Sequence, residues 1–163
     1  MASNIIVADS SPLIIAAHTG LLVRLPDILG VVFIPPKVSE ECLQLGKPSA
    51  NAIADAIKCG ILTVSTQIEH EFLTRIPSGV DAGEAEAIAL ALNMNAKLLI
   101  DDKKGRKIAK HEGLAVLGFA SLLVKAKRSG VINSVLPVIE QMNKVNYRIS
   151  PRLLAEILQL CNE

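Results

Sequence analysis

Apolar and polar positions along the chain fall into short continuous runs separated by helical stripes. Residues 4–8 form an apolar run that ends at Asp9, the pattern of a strand buried on both faces. Ser10-Ser11-Pro12 then supply cap and first-turn residues for a helix. Residues 31–34 predict a second strand, stopped by Pro35-Pro36, with a helix over about 36–45. A helix over 48–58 closes at Cys59-Gly60, and residues 61–64 read as a third strand at a sheet edge. A helix near 67–75 is followed by the loop-like stretch 77–83. In the helix predicted over 84–93, Ala85, Ile88, Ala89 and Leu92 fall at i, i+3, i+4 and i+7. Residues 97–100 predict a fourth strand, stopped by Asp101-Asp102. A basic helix over 103–112 ends before Gly113, and 114–117 is a fifth strand. Helices near 119–129, 133–144 and 151–161 finish the chain, with Pro137 tolerable in the first turns of the second.

Strand–helix alternation implies an α/β fold with a mainly parallel sheet covered on both faces. The 163 residues suit one domain. No internal repeat, low-complexity segment or long linker divides them. The expected organisation is a single domain over 1–163, with 119–163 as a helical C-terminal extension. Half the residues are hydrophobic, which excludes a disordered chain. Three Phe, one Tyr and no Trp leave the core to aliphatic side chains. The same scarcity argues against reading single strands on aromatic platforms. High apolar content and Leu-rich helices at 119–126 and 153–160 lead us to expect a homodimer.

Cys42, Cys59 and Cys161 are too few and too scattered for a disulfide framework, so a reducing, cytoplasmic setting is expected. The N-terminus lacks the basic region of a signal peptide, and no apolar run reaches membrane-spanning length, so no membrane partner is expected. The net charge of +1 hides an asymmetry. Residues 1–96 carry five Lys/Arg and ten Asp/Glu, whereas 97–128 carry nine basic and three acidic residues.

The acidic residues carry the chemistry. Asp9 ends one predicted strand, and Asp101-Asp102 end another. In a parallel sheet these ends share the edge where ligands of open α/β sheets bind. On the 36–45 helix the stripe is 38, 41, 42, 45, so Glu41 fills a position meant for a core residue while Glu40 points to solvent. Glu84 opens its helix, where the dipole favours a carboxylate, and shares a side with Ile88 and Ala91. N-capping explains Asp9 or Glu84 singly, and no Lys or Arg shares the stripe of Glu41. Acids converging on one edge repel unless protonated or bridged by a cation, and hard oxygens suit Mg²⁺ or Mn²⁺. Lys103, Lys104, Arg106, Lys107 and Lys110 follow the Asp pair directly. Cations beside a carboxylate pit suit a polyanion whose phosphate must reach the metal, which makes them the expected nucleic-acid-binding residues.

Other chemistries fit less well. A haloacid-dehalogenase-type site wants D-x-D after the first strand, where this chain has Asp9-Ser10-Ser11. A receiver-type domain wants its acidic pair there, whereas here the pair follows the fourth strand. No G-x-G-x-x-G or P-loop marks a nucleotide cradle. His18, His70 and His111 are isolated and read as surface or helix-end residues, and Cys42 and Cys161 read as core fillers. A non-catalytic module that binds nucleic acid or protein is the alternative the residues leave open.

Taken in order, "VADSSPLI" at 7–14, "IPPKVSEECL" at 34–43, "GEAEAIALAL" at 83–92, "LLIDDKKGRKIA" at 98–109, "KRSGVINSVLPVI" at 127–139 and "YRISPRLL" at 147–154 give the chain its family likeness. It resembles the PIN domains, metal-dependent ribonucleases, and in particular the short prokaryotic PIN-like proteins described as predicted nucleic-acid-binding. The family's first acid maps onto Asp9. Its helix glutamate maps onto Glu41, with Cys42 in place of the usual leucine. Its third acid maps onto Glu84, and its fourth onto Asp102, with Asp101 close behind. Ser10 or Ser11 matches the small hydroxyl residue that supports the site. The aromatic and arginine residues often near the fourth acid are replaced by Lys103, Lys104 and Arg106.

The resemblance implies a three-layer α/β/α sandwich with a parallel sheet of four or five strands. It implies hydrolysis of RNA by metal-activated water. Asp9, Glu84 and Asp102 are then expected to hold one or two Mg²⁺ or Mn²⁺ ions. Glu41 is expected to bind a second ion or position the water, with Asp101 as an alternate or supporting ligand. Many similar proteins are toxins neutralised by a small antitoxin encoded beside them.

Overall fold

The computed structural model describes residues 4–163, so the reading of the first three residues as free of a leader lies outside them. Five parallel strands form one sheet in the order β3-β2-β1-β4-β5: β1 Ile5–Ala8, β2 Val31–Ile34, β3 Leu62–Val64, β4 Lys97–Leu99 and β5 Val116–Leu117. All five fall within the runs picked out by the apolar pattern, and β3 is at an edge as its weaker run implied. In β1, Val7 and Ala8 are both fully buried, and so are Leu98 and Leu99 in β4. Successive strand residues point to opposite faces, so both faces of the central strands are covered. That makes the fold an α/β sandwich of three layers.

The helices are α1 Ser10–His18, α2 Leu25–Leu29, α3 Pro36–Cys42, α4 Ala50–Lys58, α5 His70–Thr74, α6 Ala82–Met94, α7 Lys103–His111, α8 Phe119–Arg128, α9 Leu136–Lys144 and α10 Pro151–Cys161. A short 3₁₀ turn over Leu22–Arg24 leads into α2. Neither follows from the sequence pattern, because 21–29 shows no clean period and carries Pro26. It accounts for the buried Leu21, Leu22, Leu25 and Leu29 beneath the sheet edge.

Two helix extents are corrected here. The 36–45 helix stops at Cys42, and Leu45 is fully solvent-exposed at 102%, so the stripe that selected Glu41 is one residue shorter than its pattern. The apolar faces of the C-terminal helices were expected to meet a partner copy. Within the chain α8 and α10 pack on each other, burying Leu122, Leu123, Ile157 and Cys161, while Leu153 and Leu160 stay partly exposed. The helix near 67–75 is reduced to the five residues of α5, none of them buried.

The strand order fixes where chemistry can sit. From β1 the chain moves through β2 to β3 on one side, and β4 and β5 lie on the other. The strand order therefore reverses between β1 and β4, and the crevice beyond their carboxyl ends is the ligand position of such sheets. Ala8 pairs with Leu99 in register, and Asp9 N–H donates to the Leu99 carbonyl at 2.9 Å. The residues just past both strands are acidic.

The core gives a direct test of this packing. Leu98→Ala in the central β4 should lower unfolding free energy by about 3 kcal/mol, whereas Leu45→Ala should fall within about 0.5 kcal/mol of the parent. Urea denaturation of both variants measures the contrast.

Candidate active site

Asp9 caps the N-terminus of α1 and is only 2% exposed. Its Oδ1 is buried and has no hydrogen-bond partner, a costly state for a carboxylate oxygen unless something else answers its charge. Burial, and then the nearby charges of Glu41, Asp81 and Asp102, raise its pKa to about 6, against the lowering effect of the Ser10 backbone.

Glu41 sits in the last turn of α3. Ser10 Oγ donates to its Oε2 at 2.8 Å, tying α1 to α3 across 31 residues. Of the two serines, Ser10 reaches into the acid cluster while Ser11 is exposed. Burial raises the Glu41 pKa, and the neighbouring Asp81 carboxylate raises it further, against the lowering effect of the Ser10 hydroxyl. Lys47 Nζ donates to the Glu41 carbonyl at 2.9 Å and is the nearest cation acting on it.

Asp81 was passed over in the sequence, where it reads as part of a loop. It caps α6, accepting from Gly83 N–H at 3.2 Å, and its charge reaches Asp9, Glu41 and Glu84. The only local signal was an acid three residues ahead of Glu84. Glu84 lies in the first turn of α6; burial first, then Asp102, Asp9, Asp81 and Glu41, raise its pKa to about 7.

Asp102 caps α7, with Oδ2 accepting from Gly105 N–H at 2.7 Å. Three helices, α1, α6 and α7, thus direct their N-termini at one basin, and each N-cap is an aspartate. The partial positive charge of those ends offsets some of the repulsion among the acids. Gly83 makes the room for Glu41, whereas a Cβ at Gly105 would clash with Ile100 Cδ1 at 2.7 Å and only touch the acids. A Cβ at Gly83 would lie 2.9 Å from Glu41 Cδ, and one at Gly105 would lie 3.5 Å from Asp102 Oδ2 and 3.6 Å from Glu84 Oε2.

Asp101, expected as an alternate or supporting ligand, faces away from this basin. Its Oδ1 accepts from Phe119 N–H at 2.9 Å and its Oδ2 from the Tyr147 hydroxyl at 2.7 Å. Its charge does not act on Asp9, Glu41 or Glu84. Adjacent residues after β4 thus divide the work: Asp102 joins the basin and Asp101 anchors the C-terminal segment. Of the basic residues, Lys104 donates to the Gly79 carbonyl at 3.3 Å and Arg106 to the Ile100 carbonyl at 3.4 Å, while Lys103, Lys107 and Lys110 project from α7 into solvent. None of the three histidines enters the basin. Cys42 is core, its thiol pushed up to about 12 by burial.

The donor set consists of hard oxygens. In Asp81, Glu41 and Asp102 one oxygen is held by a protein donor while the other has none assigned. With the orphaned Asp9 Oδ1, this fits a divalent cation. Among the described residues no three such side chains stand close enough to enclose an ion as they are.

A family model described as a PIN domain matches residues 5–163. No curated protein matches the chain.

The raised pKa values carry a stability signature. The folded chain binds these protons more tightly than the unfolded chain, so stability is lost as pH rises. For Asp9 the window runs from 3.8 to about 6, and for Glu84 from 4.5 to about 7. Without divalent cations, Asp9→Asn should melt above the parent at pH 7.5, and the difference should shrink towards pH 4. Calorimetry across that range checks it.

Proposed function

Since the chain belongs to the PIN-domain family, whose members are generally nucleases that use divalent metals, we propose that it is a metal-dependent endoribonuclease. The observation that carries this reading is the basin of Asp9, Glu41, Asp81, Glu84 and Asp102 at the β1/β4 crevice, with Asp9 Oδ1 buried and unpartnered. Asp9, Glu84 and Asp102 are the residues that would hold Mg²⁺ or Mn²⁺, with Glu41 and Asp81 beside them. When bound, such an ion supplies an acidified water as nucleophile and positive charge against the phosphate.

The chain's own groups do the rest. Ser10 fixes the Glu41 carboxylate through Oε2 and leaves Oε1 to accept a proton from an attacking water. The raised pKa of Glu41 suits it to that role, because a carboxylate that holds its proton more tightly is a better base near neutral pH. Gly105 N–H fixes Asp102, and the three helix N-termini keep the basin favourable to the incoming phosphate's charge. Lys103, Lys104, Arg106, Lys107 and Lys110 supply the cationic approach for the strand. No protein nucleophile is required, since Ser10 Oγ is committed to a carboxylate rather than to a base that could activate it.

RNA as the substrate, a toxin role, a small antitoxin protein and a second copy of the chain as partners extend the reading through the likeness to toxin-type relatives. Leu160, half exposed on α10, is the apolar surface that a second copy would cover.

Cleavage of a mixed-sequence labelled RNA with Mn²⁺, with Mg²⁺ and with chelator tests the proposal. Cleavage should require metal and disappear in Asp9→Asn; an unchanged rate in that variant sinks the scheme. No cleavage by the folded protein with either metal would favour the non-catalytic binding module. Gly83→Ala should cut the rate by about 100-fold with the fold intact, because its Cβ displaces the Glu41 carboxylate. A rate within twofold of the parent would remove Glu41 from the machinery.

A further inference from the structure

Beside the acid basin lies a concavity that joins the α7 cations to a C-terminal wall which the hydrolytic scheme leaves unused. It is a groove of about 660 Å³ between α7 and the segment from Tyr147 to Leu153. Lys103, Arg106, Lys107 and Lys110 form one wall. Their spacing of i, i+3, i+4 and i+7 puts four cations on a single face of α7. Arg148 stands in the facing wall. The carboxylate in the lining is Asp101, and both its oxygens are already taken, by Phe119 N–H and by the Tyr147 hydroxyl. Among the described residues no salt bridge engages Lys103, Lys107 or Lys110, which are exposed and can meet an anion from outside.

The remaining wall is apolar, made by Met142, Ile149, Leu153 and the ring of Tyr147. Tyr147 is half-buried and fixed at both ends. Its hydroxyl is bonded to Asp101, and its ring meets Phe119 edge-on at 6.3 Å. An aromatic ring locked in this way can receive a flat partner without losing side-chain freedom.

Five cations facing an apolar wall with a fixed ring suit a ligand that carries phosphate on one side and a flat apolar surface on the other. A duplex offers only its phosphates, because its bases are stacked and paired. A single strand offers phosphate and an unstacked base together. The groove opens at the residue after Asp102, so a strand whose phosphate lies in the basin runs directly into it. Lys103 to Lys110 covers about 10 Å of helix axis. Scarcity of aromatic residues excludes a row of stacking platforms; one ring pinned among five cations is a different arrangement.

We propose that this groove is a nucleotide subsite for single-stranded RNA. It would hold backbone phosphate on the α7 cations and Arg148, and one base against Tyr147, flanking the phosphate that is cut. The inference rests on the ribonuclease reading for the identity of the strand, and its test reads binding separately from cleavage.

The experiment measures anisotropy of a short labelled single-stranded RNA against the whole protein, in the Asp9→Asn background with chelator, over a range of salt. Lys107→Ala with Arg148→Ala should weaken binding at least tenfold and flatten the salt slope by about 0.7 for each phosphate no longer neutralised. Lys58→Ala with Lys97→Ala removes the same charge from exposed positions elsewhere and should bind like the parent. Tyr147→Leu should weaken binding about tenfold, while Tyr147→Phe, which keeps the ring, should retain it. A duplex of the same sequence should bind more weakly than the single strand.

Equal losses from the groove pair and the distant pair would overturn the subsite. So would a parental affinity in both the groove pair and Tyr147→Leu. An acidic peptide that binds the parent but not the groove pair, with RNA affinity unchanged, would make the groove a protein-docking site instead. Retained cleavage with an unchanged KM in the groove pair would remove the subsite and leave the nuclease reading standing. Groove-dependent RNA binding without cleavage by the parent would do the reverse.

Discussion

Five carboxyl groups are held in one basin against their own repulsion, and much of the structure can be understood as the means of holding them there. Burial and like charge both raise the cost of ionising Asp9, Glu41 and Glu84. Such a site costs stability, so it must be fixed by something rigid. The rigid element is the centre of a parallel sheet whose strands are buried on both faces. Asp9 follows β1 and Asp102 lies just past β4, and the register between those strands places both acids on one edge.

Local backbone chemistry makes the arrangement tolerable. Asp9, Asp81 and Asp102 each occupy an N-cap, so three helix N-termini converge on the negative charge. Backbone N–H groups of Gly83 and Gly105 hold Asp81 and Asp102 by one oxygen. Gly83 also leaves the space that the Glu41 carboxylate fills. Ser10, next to Asp9, pins Glu41 from a different helix, so two of the acids are positioned by neighbouring residues of one turn.

Beyond the basin, Asp101 and Tyr147 connect the site to the C-terminal helices. That bond spans 46 residues and fixes the segment carrying Arg148 against α7. The C-terminal extension is thereby more than a cover for the sheet, since it builds the second wall of the groove beside the acids. Glu163 gives the far end a comparable anchor, accepting from Ser134 Oγ and Val135 N–H and pairing with Lys127.

What the sequence determined by itself is what depends on local period and chain order. Apolar runs ending in acids placed Asp9 and the Asp101-Asp102 pair at strand ends, and strand–helix alternation required a parallel sheet that gathers those ends. Helical periodicity turned Glu41 and Glu84 inward, even though the stripe used for Glu41 extended to a Leu45 that lies outside the helix. Tertiary structure decided what depends on direction and distance. Asp101 and Asp102 are indistinguishable in a line of text, but one ends in the basin and the other in a hydrogen-bond pair with Phe119 and Tyr147. Asp81 reads as loop until α6 brings its cap beside Glu41. The Leu-rich stretches of α8 and α10 read alike in the sequence, yet Leu122 and Leu123 are buried within the chain while Leu153 and Leu160 stay partly exposed. Periodicity describes which side of its own element a residue faces; only packing settles what stands opposite.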